Sequence, residues 1–244
     1  MDHLAAGAVH LYLVDTAALA PADCARRHLV RLQPDEVGRY RRFRFEGDRH
    51  EYLVTRALSR EVLSRYVARA PESWRFLRDG HGRPLIAGAE ADPEVRWLSF
   101  SLSNTRGLVA CAVARERAVG VDVERCLPPG DPLSLAGQVL SLPERTELGS
   151  CPADRQGDWF LEHWTIKEAY LKACGRGLSL PLQAISVRLT GAPPIRLQFD
   201  APIVDDARAW QLESWSPTPE HRLALCVQCG DGPPLRIESR WVQL

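Results

Sequence analysis

Val119-Gly120-Val121-Asp122-Val123-Glu124 is the stretch from which the rest of the chain can be read. Its valines fall on every second residue, the period of a strand, so they share one face and the two carboxylates share the other. Asp122 and Glu124 then stand roughly 6.5 Å apart at Cα. Like charges at that separation repel unless something positive lies between them, and hard oxygen ligands suit a magnesium ion that keeps waters and takes phosphate oxygens. Taken alone, the pair reads equally well as exposed acids on an edge strand.

About forty residues further on, Trp164-Thr165-Ile166-Lys167-Glu168-Ala169-Tyr170-Leu171-Lys172 lies in a helical pattern spanning about 158 to 174, with Asp158 as its N-cap and Gly175 as its C-cap. Helical spacing sets Trp164, Glu168 and Lys172 on one stripe, each roughly 6 Å further along the axis. An ordinary surface pair would account for Glu168 and Lys172 alone. It does not account for composition: lysine and arginine total 31, and only Lys167 and Lys172 are lysine. In a chain that elsewhere uses guanidinium groups, this reads either as a need for compact ammonium groups here or as chance clustering of two leftover lysines, and the first reading is favoured. Three carboxylates and two ammonium groups are the parts required to bind a magnesium-bridged diphosphate and stabilise an oxyanion leaving group.

Outward from this core, Val9, Leu11 and Leu13 alternate as a first strand, and 48 to 69 repeat apolar residues at helical spacing with an arginine-rich polar face. Strands follow at about 96 to 103 and 108 to 114, joined by a turn of hairpin composition. Pro128, Pro129, Gly130 and Pro132 mark a loop. Helical patterns over about 133 to 148 and 158 to 174 precede strands near 184 to 189, 196 to 199, 209 to 215, 223 to 227 and 235 to 242. Long helices with short alternating strands predict an α+β fold with antiparallel sheets. The recurrence of strand, helix and hairpin predicts two similar lobes, 1–118 and 119–244.

With 244 residues, 45% hydrophobic and 25% charged, the chain has the composition of a globular protein. Basic and acidic residues balance at 31 each, so overall charge directs it neither to nucleic acid nor to an anionic membrane. Between Arg26 and Arg69, however, twelve arginines face six acids, a surplus that reads equally as a surface for an anionic ligand or as a solvated helix face. Met1 to Leu13 lacks the pattern of a secretory leader, and no apolar run is long enough to span a bilayer, which predicts a cytoplasmic protein. Seven scattered cysteines form no disulfide framework. Cys226 and Cys229 make a lone CxxC inside a strand pattern, with no following helix to make it a redox motif.

The paired strings 119–124 and 164–172, with the tail Gly175-Arg176-Gly177-Leu178-Ser179-Leu180-Pro181-Leu182, resemble the signature of surfactin-type 4′-phosphopantetheinyl transferases. The resemblance implies a pseudo-twofold fold in which each lobe packs a small antiparallel sheet on a long helix. It implies transfer of the 4′-phosphopantetheine arm of coenzyme A to a serine of an apo acyl or peptidyl carrier protein, by a cytoplasmic monomer, with release of 3′,5′-ADP. By resemblance, Asp122, Glu124 and Glu168 hold magnesium, or manganese in its place. Glu168 is the base, directly or through a water. Lys172 neutralises the leaving phosphate, and Lys167 steadies the diphosphate or the acidic cluster.

Further positions match more of the family pattern. In Asp35-Glu36-Val37-Gly38-Arg39-Tyr40-Arg41-Arg42-Phe43, Arg39 stands where the family places a basic residue for the 3′-phosphate of coenzyme A. Arg56 lies in its arginine-bearing helix, and Gly82-Arg83-Pro84 matches its turn beside the adenine. Glu144, in Ser141-Leu142-Pro143-Glu144, resembles a further acid near the metal. Where the family has a histidine in Asn-x-Ser-His-Ser/Thr, this chain reads Ser101-Leu102-Ser103-Asn104-Thr105. Asn104 donates an amide hydrogen bond but carries no charge, which predicts weaker coenzyme A binding and a flatter pH dependence.

Three other readings compete. Another magnesium-dependent phosphoryl or nucleotidyl transferase is disfavoured for triphosphates by the lack of a GxxxxGK[ST] loop. A coenzyme A or carrier-protein binding module without catalysis would fit the asparagine. Single-stranded nucleic acid would fit Tyr40, Phe43, Phe45 and Tyr52 interleaved with arginines, although the resemblance implies no nucleic-acid or membrane partner.

Overall fold

A computed structural model describes residues 2–126, 132–177, 180–189, 195–230 and 232–244. The loop predicted at Pro128, Pro129 and Gly130 lies outside the described residues, as do Leu178 and Ser179 of the tail. The chain divides into two compact units: Met1–Glu116 with Arg236–Leu244, and Arg117–Leu235.

The first unit contains β1 (Ala8–Asp15), α1 (Pro21–His28), α2 (Pro34–Arg42), α3 (Glu46–Leu63), the short β2 (Phe76–Arg78) and β3 (Pro84–Ile86), then β4 (Leu98–Thr105) and β5 (Leu108–Arg115). The turn between β4 and β5 passes through Gly107 at φ 94°, a left-handed value that glycine adopts without steric cost. The apolar face of α3, including Leu53, Ala57, Leu58 and Val62, is buried. Leu53, Leu58 and Val62 join one core cluster with Tyr12, Phe100, Val109, Cys111 and Val113 from the sheet.

The second unit contains β6 (Val119–Arg125), α4 (Pro132–Val139), α5 (Leu142–Ser150), α6 (Gln156–Cys174), β7 (Ile185–Arg188), β8 (Arg196–Phe199), β9 (Trp210–Thr218) and β10 (His221–Gln228). Its antiparallel sheet runs in the order β6-β10-β9. Ile166, Ala169, Tyr170 and Ala173 of α6 cluster with Leu212, Ala224 and Cys226 of the sheet. Each unit thus packs a long helix on antiparallel strands, the α+β plan expected from the alternating strands and amphipathic helices.

Three boundaries differ from expectation. The final strand, β11 (Arg236–Trp241), belongs to the first unit, where it pairs parallel to β1 with Val9 opposite Ile237 in the order β11-β1-β5-β4. The second unit therefore ends at Leu235 and not at 244. The helical pattern over 133–148 is two helices, because Pro143 starts a new one and Ser141 and Glu144 form its capping box. Asp158 lies in the first turn of α6, whose N-cap is Arg155, while Gly175 caps its end at φ 69° as expected. No helix among the described residues is long and apolar enough to cross a membrane.

Candidate active site

A close approach of β6 to α6 builds the centre of the second unit. A Cβ on Gly120 would lie 2.0 Å from the Ala169 carbonyl oxygen and 2.4 Å from the Ala173 nitrogen. Only glycine on the strand lets the helix backbone lie this close. Strand alternation puts Asp122 and Glu124 on the same face as Gly120, and on the helix Glu168 and Lys172 each precede one of the two alanines. The two acids and the helical stripe therefore meet. Lys172 Nζ donates to Asp122 Oδ1 at 2.7 Å, and Trp164 Nε1 donates to Glu124 Oε1 at 3.2 Å.

Electrostatics report the same convergence. Asp122 is 4% exposed, and Glu124 and Glu168 are half-buried. Burial raises the pKa of both glutamates, the charge of Asp122 raises both further, and Lys172 draws both back. Glu168 also feels Glu124, so strand and helix acids repel one another across the contact. Among the described residues no three or more His, Cys, Asp or Glu side chains are gathered as a ready metal cage. The donor set is nevertheless all carboxylate oxygen and mutually repulsive, which is the chemistry a hard divalent cation requires. Asp122, Glu124 and Glu168 are the residues that could hold one.

Lys167 lies elsewhere, which corrects the expectation that it steadies the diphosphate or the acidic cluster. It is completely buried, and its ammonium donates to the Val139 carbonyl at 2.9 Å, Glu144 Oε2 at 2.5 Å and the Leu182 carbonyl at 3.2 Å. These acceptors match its three N–H groups. Burial lowers the lysine pKa, and Glu144 opposes that shift. Glu144 is equally buried and also accepts from the backbone nitrogens of Ser141 and Val187. It ties α5, α6 and β7 together and is not one of the gathered acids.

In the first unit, a cleft of about 550 Å³ is lined by Arg39, Arg42, Arg56 and Arg78 together with Tyr52 and Phe76. The Arg39 and Arg56 guanidiniums lie 5.7 and 5.4 Å from the centre of the Tyr52 ring. Burial pushes the Arg56 pKa down. Glu36 also lines the cleft, but its carboxylate is committed to buried Arg60 and to the start of α2. The cleft therefore keeps a positive surplus. Arg83 belongs to the turn beside it, where its backbone nitrogen donates to Asp79 Oδ1 at 2.9 Å, while neighbouring Pro84 lines the wall. Nothing in the sequence pattern marks Arg78, which comes to the cleft on β2.

Ser103, Asn104 and Thr105 end β4 and pair with Ala110, Val109 and Leu108 of β5. Ser103 is buried and Asn104 exposed. The following turn is pinned from α3, since Glu51 Oε1 accepts from the Gly107 nitrogen at 3.0 Å and from Thr16 Oγ1 at 2.7 Å.

Residues 118–226 match the family described as the 4′-phosphopantetheinyl transferase superfamily, and residues 21–116 match 4′-phosphopantetheinyl transferase, N-terminal. The 4′-phosphopantetheinyl transferase HetI of Nostoc sp. is 34% identical over 181 residues, covering 74% of this chain and 72% of that protein. The 4′-phosphopantetheinyl transferase Sfp of Bacillus subtilis is 28% identical over 207 residues, 85% of this chain and 87% of that one. Among solved structures, a Bacillus anthracis holo-(acyl-carrier-protein) synthase in complex with CoA (3′,5′-ADP) is similar over 47% of this chain and 96% of its own, at 20% identity and a TM-score of 0.39.

Proposed function

This chain belongs to the 4′-phosphopantetheinyl transferase superfamily, and from that premise we propose how its residues move the 4′-phosphopantetheine arm of coenzyme A onto a serine of an apo acyl or peptidyl carrier protein. The observation that carries the assignment of roles is the meeting of Asp122 on β6 with Lys172 on α6 at 2.7 Å, one helical turn beyond Glu168. Asp122, Glu124 and Glu168 hold a divalent cation, magnesium or manganese. When bound, the ion neutralises charge on the coenzyme A diphosphate.

The carrier serine Oγ attacks the β-phosphorus, its proton passes to Glu168 directly or through a water, and the bond to 3′,5′-ADP breaks. Lys172 offers its ammonium to the leaving phosphate. In the first unit, Arg39, Arg56 and Arg78 supply positive charge suited to the 3′-phosphate of coenzyme A, with Arg83 and Pro84 beside the base, and Ser103, Asn104 and Thr105 offer further donors to coenzyme A. Asn104 keeps a donor without a charge. All seven cysteines are free, which fits a reducing, cytoplasmic setting.

Incubation of the purified protein with magnesium chloride, coenzyme A and an apo carrier protein, followed by mass spectrometry of the carrier, tests this assignment. The expected result is a gain of one phosphopantetheine per carrier that is lost with Asp122→Asn and Glu168→Gln. Coenzyme A binding without mass gain would point to a binding module, and full activity in both variants would remove the proposed centre.

A further inference from the structure

The helical stripe opposite the acids has a third member. Trp164 stands one turn before Glu168, as Lys172 stands one turn after it, and the two outer residues each hold one acid of the strand: Lys172 holds Asp122, and Trp164 holds Glu124. The indole N–H is a donor with no acceptor capacity, so its contact with Glu124 Oε1 at 3.2 Å has one polarity. Its ring is half-buried and stacks on Phe160 with centroids 6.4 Å apart and planes inclined by 18°. The ring thus packs on its own helix on one side and presents its N–H to Glu124 of β6.

Glu124 needs such support. It lies at the end of β6, two residues beyond Asp122 on the same face, where repulsion from its neighbour would drive an unrestrained side chain away. A donor fixed on α6 holds one carboxylate oxygen toward the helix that also carries Glu168. Partners that orient a metal's carboxylate ligands without touching the ion are a general requirement of such sites.

We propose that Trp164 is a positioning residue for the divalent-cation site: its indole N–H holds Glu124 Oε1 and so fixes how that carboxylate meets the ion. This rests on the assignment of Asp122, Glu124 and Glu168 as the cation's ligands. Phenylalanine at 164 would retain an aromatic ring against Phe160 and remove only the donor, which separates positioning from packing.

Isothermal titration of magnesium chloride into the full chain tests the proposal, using wild type, Trp164→Phe, Glu124→Ala and the double variant, each first melted without metal. Trp164→Phe is expected to weaken magnesium binding about 10- to 100-fold, the range for partners of metal ligands, with melting close to wild type. In the Glu124→Ala background the same substitution is expected to change affinity less than about twofold, because its effect passes through Glu124. In the transfer assay, the magnesium concentration for half-maximal rate should rise while the rate at saturating magnesium stays near that of wild type.

Unchanged magnesium affinity in Trp164→Phe, or an equal loss in both backgrounds, overturns the proposal. Trp164→His, whose ring keeps an N–H, gives a second comparison should the phenyl variant fold poorly: affinity within about threefold of wild type supports a donor role, and a loss as large as that of Trp164→Leu overturns it. Failure of wild type to bind magnesium saturably, or binding that Asp122→Asn leaves unaltered, removes the cation assignment itself and the proposal with it. Normal wild-type binding with an indifferent Trp164→Phe removes the proposal alone.

Discussion

Lys172 Nζ lies 2.7 Å from Asp122 Oδ1, a contact that joins the last turn of α6 to the middle of β6. The two are unequal partners, since the side chain of Asp122 is 5% exposed and that of Lys172 is 30% exposed. The aspartate carries a nearly desolvated charge beside two further acids, and the ammonium is the cation that offsets it here. Lys172→Met should therefore destabilise the metal-free protein by about 1–3 kcal/mol, the cost of taking a charged donor from a buried acceptor, and magnesium should restore part of the loss. Lys172→Arg should keep most of the stability and lose most of the transfer, because a planar fork does not reproduce a compact point charge. Urea melts with and without magnesium, alongside the carrier assay, check both; near-normal turnover in the arginine variant would count against a contact with the leaving phosphate.

Gly120→Ala should be more damaging than its single methyl suggests. The atoms a Cβ would meet at 2.0 and 2.4 Å are backbone atoms of α6, so no side-chain rotation relieves the clash. The helix would have to withdraw from β6, carrying Glu168 and Lys172 away from Asp122. A loss of about 3 kcal/mol, the upper end for overpacking, together with loss of transfer, is the expected outcome in denaturant melts and the carrier assay. An active variant of wild-type stability would mean that this approach does not set the site.

Lys167 invites a different experiment from its neighbour five residues on. Because its ammonium is buried against Glu144 and two carbonyls, Lys167→Met strands a carboxylate in the interior and should cost about 3–5 kcal/mol. At a temperature where the variant remains folded, turnover per folded molecule should stay within a few-fold of wild type. Comparing active-site concentration with total protein separates the two effects, and a collapse of turnover in fully folded protein would return Lys167 to the reaction.

The contrast between the lysines shows what the sequence carries. Alternation fixed the face of Asp122 and Glu124, helical spacing fixed the stripe of Trp164, Glu168 and Lys172, and Gly175 marked the helix end; these are local periodicities. What Lys167 touches is not local. Its acid lies 23 residues away on α5, and periodicity does not say which face of a helix meets which neighbour. The same limit explains β11: alternation identifies a strand near 235–242 but not that it pairs with β1 at the other end of the chain. Arg78 carries no sequence signal because a wall of the cleft forms only when β2 and β3 fold beside α2 and α3. The helical pattern over 133–148 runs across Pro143, which the structure places in the first turn of a second helix.

His163 gives a pH dependence separate from the acids. Its ring is 1% exposed, stacks on Trp159 with centroids 3.5 Å apart, and donates from Nδ1 to the Trp159 carbonyl at 2.8 Å. Burial depresses its pKa to about 4 from an ordinary 6.5, with the Trp159 carbonyl opposing the shift. The sign follows from proton uptake. Between those values the unfolded chain binds a proton at this position and the folded chain does not, so the stability contributed by the neutral ring is complete above about pH 6.5 and declines as pH falls toward 4. The decline amounts to roughly 2–3 kcal/mol by pH 4.5, at about 1.4 kcal/mol per unit. His163→Phe keeps an aromatic ring on Trp159 and cannot titrate. Urea melts at pH 7.5 and 4.5 should show wild type losing about 2 kcal/mol more than the variant over that interval, and parallel losses in the two proteins would mean that His163 takes up its proton in the folded state as readily as in the unfolded one.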